Sequence, residues 1–436
     1  MCMTKSNYLL IFFFLLMNLL IFVGCAGKKQ VDLFAPDGVV DTLARADSIN
    51  IRPADIHVPF YTEIAKYDNN LSSIASGVRF VKLDDEPLFR DFFIYDVQQC
   101  DSFLFLLGGE HIFMYDASGK FLRQIGRKGQ GPGEYVNLNA PLQLDEKNRV
   151  LYVADGYTSR FLSYDFDGNL LKDIRYANSE WSQAYLLDSV TVMINTNVGS
   201  RFQPSQTKRL ILQDYDRKTL KSFPSYLYPV ERPRGNFAYG VDNILWRCGK
   251  DFYLLEYGND TIFQITREQL IPVLILTGDD LKLSKDEWFS RDKKDKVTIA
   301  PQMLKPSSGI FESNRFLIAS LRRRFPKESY FAVLDKKTGN LWRTGKHTQP
   351  FIGEPAPYRT CEYFIDDVVS GLPVEPIYFS QGEAIGLIAA DALLAQKEAI
   401  AAFVAKHPTE EGKKLQKLLE TMNEESGSVF CFVKLE

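Results

Sequence analysis

Along most of the chain, apolar and polar residues alternate in short runs that are separated by acidic or glycine-containing turns. Alternation with a period of two is typical of β-strands that have one covered face. The clearest repeating unit is an apolar strand, an Asp-containing turn with Gly, and a second strand, and two copies at 111–125 and 160–174 align without a gap. Tyr115 and Tyr164 are therefore 49 residues apart. This spacing indicates one four-stranded blade of a β-propeller.

The pattern predicts six blades. Weaker copies of the hairpin follow at 210–223, 261–276 and 330–342, and short apolar pairs upstream supply the inner strands. The first five predicted blades are 92–125, 140–174, 184–223, 237–276 and 309–344. The sixth combines 363–366, 384–390 and 428–435 with 78–83 as its outer strand. Pairing the two ends of the chain in this way removes exposed sheet edges.

Helical composition is confined to 391–425, which is rich in Ala, Leu, Lys and Glu and is divided by Pro408 into two predicted helices. We interpret it as an insertion in the last blade. A second insertion at 277–305 contains Ser284 and Glu287, which form a capping-box pattern before Trp288 and predict a short helix. The predicted fold is an all-β, six-bladed β-propeller over 77–436, closed by N- and C-terminal strands. Residues 26–76 are mostly polar and are interpreted as a tether and lead-in segment.

The N-terminus has the pattern of a secretory signal. Lys5 precedes an apolar run at 8–23 that only Asn18 interrupts, and Gly24 and Cys25 follow at once. The run 22–25 resembles a lipobox, which predicts a lipoprotein signal over 1–25 with a lipid attached to Cys25. The alternative is an uncleaved membrane helix, although about sixteen apolar residues are marginal for spanning a bilayer. Ala26 and the basic residues after it favour an outer-membrane lipoprotein that faces the periplasm rather than the cell surface.

Composition narrows the range of possible functions. The 32 Phe and 21 Tyr suit pleated sheets, and a net charge of −3 gives no general attraction to nucleic acid. The four His residues are far apart, so we predict no metal site and no cofactor. Four cysteines follow the signal, and their wide spacings fit either buried thiols or disulfides: Cys100, Cys248, Cys361 and Cys431.

The glycine-rich run 126–135 carries a family resemblance. It resembles the Gly-x-Gly-Pro-Gly-Glu-Tyr signature of six-bladed β-propeller lipoproteins of Bacteroides-like bacteria, a group similar to NHL-repeat propellers. The segment 70–83, the Tyr-Asp-x-x-Gly-Lys hairpins and the closing run 429–435 also resemble that family. The resemblance implies the fold and implies almost nothing about activity. A phosphate-binding interpretation is excluded, because the run lacks the Gly-Lys-Ser/Thr ending and does not open a helix.

Loops predicted on the face crossed by this run are rich in basic residues. Arginine favours carboxylates, phosphates and acidic sugars. The candidate ligand-binding residues are Arg127, Lys128, Tyr135, Arg201, Arg232, Arg234, Arg322, Arg323 and Arg324. The alternative is a set of solvated charges that Glu134 and other loop acids balance.

Acidic residues that end predicted inner strands raise the possibility of a metal-dependent centre: Asp145, Asp188, Asp242 and Asp366. Because Asp commonly caps turns, a structural role is the favoured interpretation. No nucleophile motif is visible, and we predict no catalytic residue. The leading hypothesis is a membrane-anchored binding or scaffold module for an envelope protein, an acidic small molecule or a glycan. A metal-dependent hydrolase or lyase in the channel is the alternative.

Overall fold

The computed structural model describes residues 57–85, 94–100, 102–108, 111–138, 141–176, 183–195, 208–224, 243–256, 259–278, 281–282, 296–299, 309–323, 328–345 and 363–436. Cys25 and the helix predicted around Ser284 lie outside these ranges. Within them, no helix has the length and apolar character needed to cross a membrane.

Two strands precede the first blade. β1 (His57–Tyr61) and β2 (Ala75–Lys82) are separated by a single 3₁₀ turn at Leu71–Ser73. Neither strand joins the blade that follows it in the chain. β1 pairs with the fourth blade and β2 with the sixth, so the N-terminal segment is part of the ring.

The first three blades are antiparallel four-stranded sheets whose strands follow chain order. Blade 1 contains β3 (Ile94–Cys100), β4 (Phe103–Gly108), β5 (His111–Asp116) and β6 (Phe121–Gln124). A short parallel pair, β7 (Arg127–Lys128) and β8 (Glu134–Tyr135), leads to blade 2, which contains β9 (Gln143–Asp145), β10 (Val150–Asp155), β11 (Arg160–Asp165) and β12 (Leu170–Arg175). Blade 3 contains β13 (Gln183–Leu186), β14 (Val192–Asn195), β15 (Lys208–Gln213) and β16 (Thr219–Pro224).

Blades 4 and 5 each have a fifth strand. Blade 4 contains β17 (Asn243–Cys248), β18 (Asp251–Glu256), β19 (Thr261–Ile265) and β20 (Leu270–Gly278), and β1 adds to β20 in parallel. Blade 5 contains β21 (Val297–Ile299), β22 (Ile310–Glu312), β23 (Phe316–Arg323), β24 (Glu328–Asp335) and β25 (Leu341–Arg343). Both β21 and β22 pair with β23, at different positions along it.

Blade 6 closes the ring. A two-stranded ribbon of β26 (Phe364–Ile365) and β27 (Pro373–Val374) precedes β28 (Pro376–Ser380) and β29 (Glu383–Ile388). Three helices follow: α1 (Ala390–Leu394), α2 (Lys397–Lys406) and α3 (Glu410–Thr421). The last strand, β30 (Val429–Leu435), pairs with β29 on one side and with β2 on the other. The predicted closure and the predicted helical insertion are therefore confirmed.

Two details of the sixth blade differ from the sequence-based prediction. The inner strand is β28, not the run 363–366, which forms β26 in the separate ribbon. The run ends in a turn at Asp366. The Asp366 carboxylate stabilises this turn by accepting hydrogen bonds from the backbone amides of Val368, Val369 and Ser370. The insertion also has three helices rather than two. Pro408 separates α2 from α3 as expected, and the Thr409 hydroxyl caps α3 by accepting from the Gly412 amide.

The two clearest sequence repeats form the same turn. The side chain of Asp116 accepts the amides of Ser118 and Lys120, and Gly119 has a φ of 93°. The equivalent turn in blade 2 has an Asp carboxylate that accepts the Asn169 amide and a Gly with a φ of 92°. Asp holds the turn and Gly tolerates the positive φ, which explains why this pair marks each hairpin.

Buried side chains form six hydrophobic clusters in the described residues. Each cluster lies between two neighbouring blades, and together they account for all six blade interfaces. The cluster between blades 5 and 6 also includes the apolar faces of the three helices. Burial on this scale supplies the main favourable free energy of folding. It also holds the inner strands in place around a central channel.

Candidate binding site in the central channel

The channel contains a cavity of about 520 Å³. All six blades contribute inner-strand residues to its wall, and three of the turns that follow inner strands reach it as well. The polar side chains of the wall are mostly neutral amides and hydroxyls. The neutral side chains include Gln98, Gln143, Ser313, Asn314, Ser380 and Gln381, and the charged ones are Asp96, Arg247, Glu312, Lys434 and Glu436. A cavity of this size lies in the range of small-molecule binding sites.

Asp96 is a buried carboxylate of this wall. Its side chain is on β3 and only 6% of the residue is exposed. One oxygen accepts the Leu142 amide at 2.8 Å, and Gln98 Nε2 lies 3.2 Å from both oxygens. Burial disfavours the charged form more strongly than these hydrogen bonds favour it, which raises the pKa of Asp96 to about 6. Among the described residues, no Lys, Arg or His forms an ion pair with it.

Gln143 is the adjacent polar group, on β9 of blade 2. Its Oε1 accepts the Leu186 amide of blade 3 at 2.8 Å. Its Nε2 is buried and has no hydrogen-bond partner in the described protein atoms. Because a buried amide donor without a partner costs free energy, this atom indicates where a ligand or water would bind.

Other hydrogen bonds connect neighbouring blades around the same channel. Glu312 of blade 5 accepts Trp246 Nε1 of blade 4 at 2.5 Å and pairs with Lys336 at 2.9 Å. Ser380 of blade 6 accepts the Gln99 amide of blade 1 at 2.9 Å. These side chains are held in fixed orientations, so the wall of the cavity is largely preorganised.

Two further side chains line the cavity at the turn that follows β17. Arg247 is exposed, and its Nε donates to the Gly249 carbonyl at 3.1 Å. Cys248 is a partly buried thiol, and burial raises its pKa. Cys248 and the fully buried Cys431 are free thiols. Of the two alternatives that the cysteine spacing leaves open, these two residues therefore adopt the thiol form and not the disulfide.

The basic residues predicted on one face occupy several different settings. Arg127 and Lys128 are exposed, whereas Tyr135 is completely buried between blades 1 and 2. Arg322 and Arg323 lie at the end of β23, outside the residues whose side chains are described. The other predicted members are outside the described residues altogether: Arg201, Arg232, Arg234 and Arg324. Ligand binding by this set stays a prediction.

The glycine-rich run 126–135 forms a closed loop. Glu134 turns back to accept the Gly131 amide at 2.8 Å and pairs with Arg127 Nε at 2.5 Å. A Cβ at Gly129 would lie 2.0 Å from the Glu134 carboxylate. A side chain at Gly129 would thus displace the Glu134 carboxylate, and Glu134 balances Arg127 as the alternative interpretation of the charges suggested.

The cavity and this loop lie at opposite ends of the strands. The loop connects the outer strand of blade 1 to the inner strand of blade 2. The cavity instead reaches the turns between first and second strands, at Gly249, Asn314 and Gln381. In an antiparallel four-stranded blade these two kinds of connection lie at opposite ends. The structure thus adds a second candidate surface to the one predicted from the basic residues.

The acidic residues that end strands serve turns where they are described. Asp145 accepts from the Asn148 amide and side chain, and Asp188 accepts from the Val190 and Thr191 amides. Asp366 does the same in the ribbon, and Asp242 lies outside the described residues. In the described part of the chain, no group of three or more His, Cys, Asp or Glu side chains is arranged to hold a metal ion.

Asp96 and Gln143 do not stand out in the sequence, because they come from different blades and belong to no local motif. The sequence signal that could identify them is their position within a predicted strand. Each is a polar residue inside a run predicted to be an inner strand, where an apolar residue or a turn residue is expected. A systematic comparison of these positions across the repeats would have selected both.

A family model described as a domain of unknown function, DUF4934, matches residues 56–434. The chain belongs to this family. A search of curated proteins finds no match for it. A crystal structure of a "putative exported protein" of Bacteroides fragilis has 17% sequence identity and a TM-score of 0.58, and the alignment covers 87% of this chain and 99% of that one. At this identity, the likeness shows that the DUF4934 chain shares its fold.

A second crystal structure is more distant. It is a member of the DUF4221 family from Bacteroides vulgatus with 11% identity and a TM-score of 0.42, and the alignment covers 62% of this chain and 85% of that one. Neither comparison assigns a ligand, a partner or a reaction to the DUF4934 chain.

Proposed function

We propose that this protein is a membrane-anchored binding module of the cell envelope, and that its ligand occupies the cavity in the central channel. The observation that carries the proposal is the unpartnered Gln143 amide in a preorganised cavity of about 520 Å³. Inner strands of all six blades contribute to the wall of this cavity. Convergence of polar groups in a cavity that is also lined by apolar and aromatic side chains is typical of small-molecule sites.

The envelope location is supported by two observations. The N-terminal sequence has a signal-like apolar run that ends at Cys25. The similar Bacteroides fragilis structure is described as a "putative exported protein". We infer an outer-membrane lipoprotein that faces the periplasm, with Cys25 as the lipidated residue.

The opposite face is proposed as a second surface, for an envelope protein or an acidic ligand. Its support is the exposure of Arg127 and Lys128. Arg127 is already paired with Glu134, so an acidic partner would compete with an existing ion pair. The cavity therefore has the stronger structural support of the two.

The proposed function can be tested with a variant that fills the mouth of the cavity. Asn314 is exposed at the turn after β22 and lines the cavity, so Asn314→Trp would place an indole at the mouth. The full chain in detergent is equilibrated with a small-molecule extract of the cell envelope, and retained molecules are identified by mass spectrometry. We expect a specific molecule to be retained by the unmodified protein and lost by Asn314→Trp.

The matched control is Lys221→Trp, because Lys221 is exposed on the outer strand β16, away from the channel. This variant is expected to retain the same molecule as the unmodified protein. Retention of no molecule by any of the three proteins would reject the cavity as a binding site, and so would equal retention by all three.

A further inference from the structure

We propose that the cavity selects an uncharged, hydroxyl-rich molecule of sugar size, one hydroxyl of which accepts from Gln143 Nε2 and donates to Asp96. This inference rests on the proposed function and names the ligand class of that same cavity. It follows from three features of the wall: a donor and an acceptor at one blade junction, charged groups of both signs, and its aromatic content.

The donor and the acceptor lie at one junction between blades. Asp96 of blade 1 accepts the amide of Leu142, the residue next to Gln143 in blade 2. The Leu186 amide occupies Gln143 Oε1, which fixes the side-chain orientation and leaves Nε2 as the end without a partner. A hydroxyl group is both donor and acceptor, so a single hydroxyl satisfies both groups. An aliphatic ligand would leave Gln143 Nε2 without a partner in a buried site.

The charges of the wall disfavour an ionic ligand. Glu312 is neutralised by Lys336, so Asp96 is the acidic group of the wall that has no cationic partner among the described residues. An anionic ligand would approach this carboxylate against repulsion. A cationic ligand would meet repulsion from Arg247 and Lys434, which also line the cavity and form no ion pair within the part of the chain that the structure describes. A neutral ligand avoids both penalties.

Aromatic side chains contribute much of the apolar part of the wall. Tyr185, Trp246, Phe252, Phe311 and Phe379 line the cavity beside the neutral amides and hydroxyls. A ring with C–H groups on its faces and hydroxyls at its edge suits such a wall, because both partners combine apolar and hydrogen-bonding surfaces. The volume of about 520 Å³ also suits a small ring compound rather than a polymer.

The test uses sugars that differ in charge and little else. Glucose, glucosamine and glucuronate form one series, and galactose, galactosamine and galacturonate form a second. Dissociation constants are measured by ligand-detected NMR with the full chain in detergent, at pH 7 and constant ionic strength, because the amine of an amino sugar loses its charge as the pH rises towards about 8. We expect a neutral member to bind at least tenfold more tightly than the cationic and anionic members of its series.

Two substitutions locate the contact. Asp96→Asn and Gln143→Met keep side-chain size, and each is expected to weaken binding of the neutral sugar about tenfold or more, the effect of losing one charge-assisted or buried hydrogen bond. Asp167→Asn and Gln264→Met make the same chemical changes on the hairpin turn of blade 2 and on β19, outside the cavity. They are expected to leave binding unchanged. Thermal melting of all four variants identifies any that fail to fold.

The outcomes separate the ligand class from the proposed function. Tighter binding of an amino sugar or a uronate would overturn the neutral class while leaving the cavity as the site. Neutral-sugar binding that neither cavity substitution weakens would overturn the assigned contact. If no sugar binds but Asn314→Trp still abolishes retention of another molecule, the ligand class is wrong and the proposed function stands. If the Asn314→Trp experiment also fails, both are rejected.

Discussion

Asp96 links stability to the proposed binding role at the scale of a single residue. The raised pKa means that the folded protein favours the protonated carboxyl, so the ionised form at neutral pH lowers the free energy of unfolding. A buried carboxylate that costs stability and borders a cavity is a candidate for function rather than for structure. Gln143 on the next blade is a candidate for the same reason, because its buried, unpartnered Nε2 also costs stability and belongs to a residue of the cavity wall.

Replacing Asp96 with Asn should stabilise the protein in a pH-dependent way. The ordinary pKa of an Asp is 3.8 and the folded value is about 6. The stability provided by the protonated form is fully present below pH 4, is lost as pH rises towards 6, and is absent above it. At pH 7.5 we expect Asp96→Asn to raise the free energy of unfolding by up to about 3 kcal/mol, the equivalent of two pKa units. Below pH 4 the difference should disappear. Urea denaturation at both values measures it.

The control for this experiment is Asp167→Asn. Asp167 is exposed and pairs with Arg123 on the surface, so its replacement should change stability by less than about 1 kcal/mol. A stabilisation by Asp96→Asn that is the same at both pH values would show that burial of the charge is not its cause.

At the scale of elements, the N-terminal segment differs most from what its sequence predicts. The polar composition of 26–76 predicts a lead-in, yet its last part contributes β1, which adds a parallel strand to blade 4. In β1, the side chains of Val58 and Phe60 are buried while those of His57 and Pro59 are exposed. Five residues with one Pro are too short a pattern to be separated from loop sequence by periodicity alone.

Phe60→Ala should reveal whether β1 is an integral strand. Phe60 is completely buried in the cluster between blades 4 and 5, so removing its ring should lower the free energy of unfolding by about 3 to 5 kcal/mol. His57→Ala on the exposed side of the same strand is the matched control and should have little effect. Chemical denaturation measures both. Equal, small effects would show that β1 contributes nothing to the fold and that this segment acts only as a tether.

The turn at Gly119 holds blade 1 against blade 6. A Cβ at this position would lie 2.1 Å from the backbone oxygen of Lys82 on β2, and the φ of 93° is itself unfavourable for Ala. We expect Gly119→Ala to destabilise the protein by about 3 kcal/mol or more, because backbone atoms must move. Gly339→Ala is the control, since its φ of 74° is similar but nothing lies within 4 Å. It should cost only about 1 to 2 kcal/mol. Similar losses of melting temperature in both variants would exclude a role for the close approach to β2.

At the scale of the whole molecule, the sequence predicted the ring but not the site. Hairpins such as those around Tyr115 and Tyr164 repeat because each blade needs the same strand–turn–strand unit. The residues of such a unit are close in sequence, so the unit leaves a recognisable pattern. The inner strand β28 was missed because Pro376 begins it and the apolar run at 363–366 competes with it. The cavity was missed because its wall takes one or a few side chains from each of six distant strands, so its composition exists only after closure. Asp145, Asp188 and Asp366 were interpreted correctly because turn chemistry is local.

The proposed anchor decides where the ring acts, and Cys25→Ala tests it in the whole chain. Two acyl chains on Cys25 would hold the protein at the membrane, whereas one chain or none would not. We expect the variant to lose incorporation of an alkyne-labelled fatty acid and to disappear from the outer-membrane fraction of a sucrose gradient, with the unmodified chain remaining there. Cys2→Ala is the matched control, because Cys2 precedes the proposed cleavage site and should not carry lipid. Protection of the unmodified protein from protease added to intact cells would support the periplasmic face, and cleavage would assign it to the surface. Unchanged labelling of Cys25→Ala would reject lipid attachment at this residue.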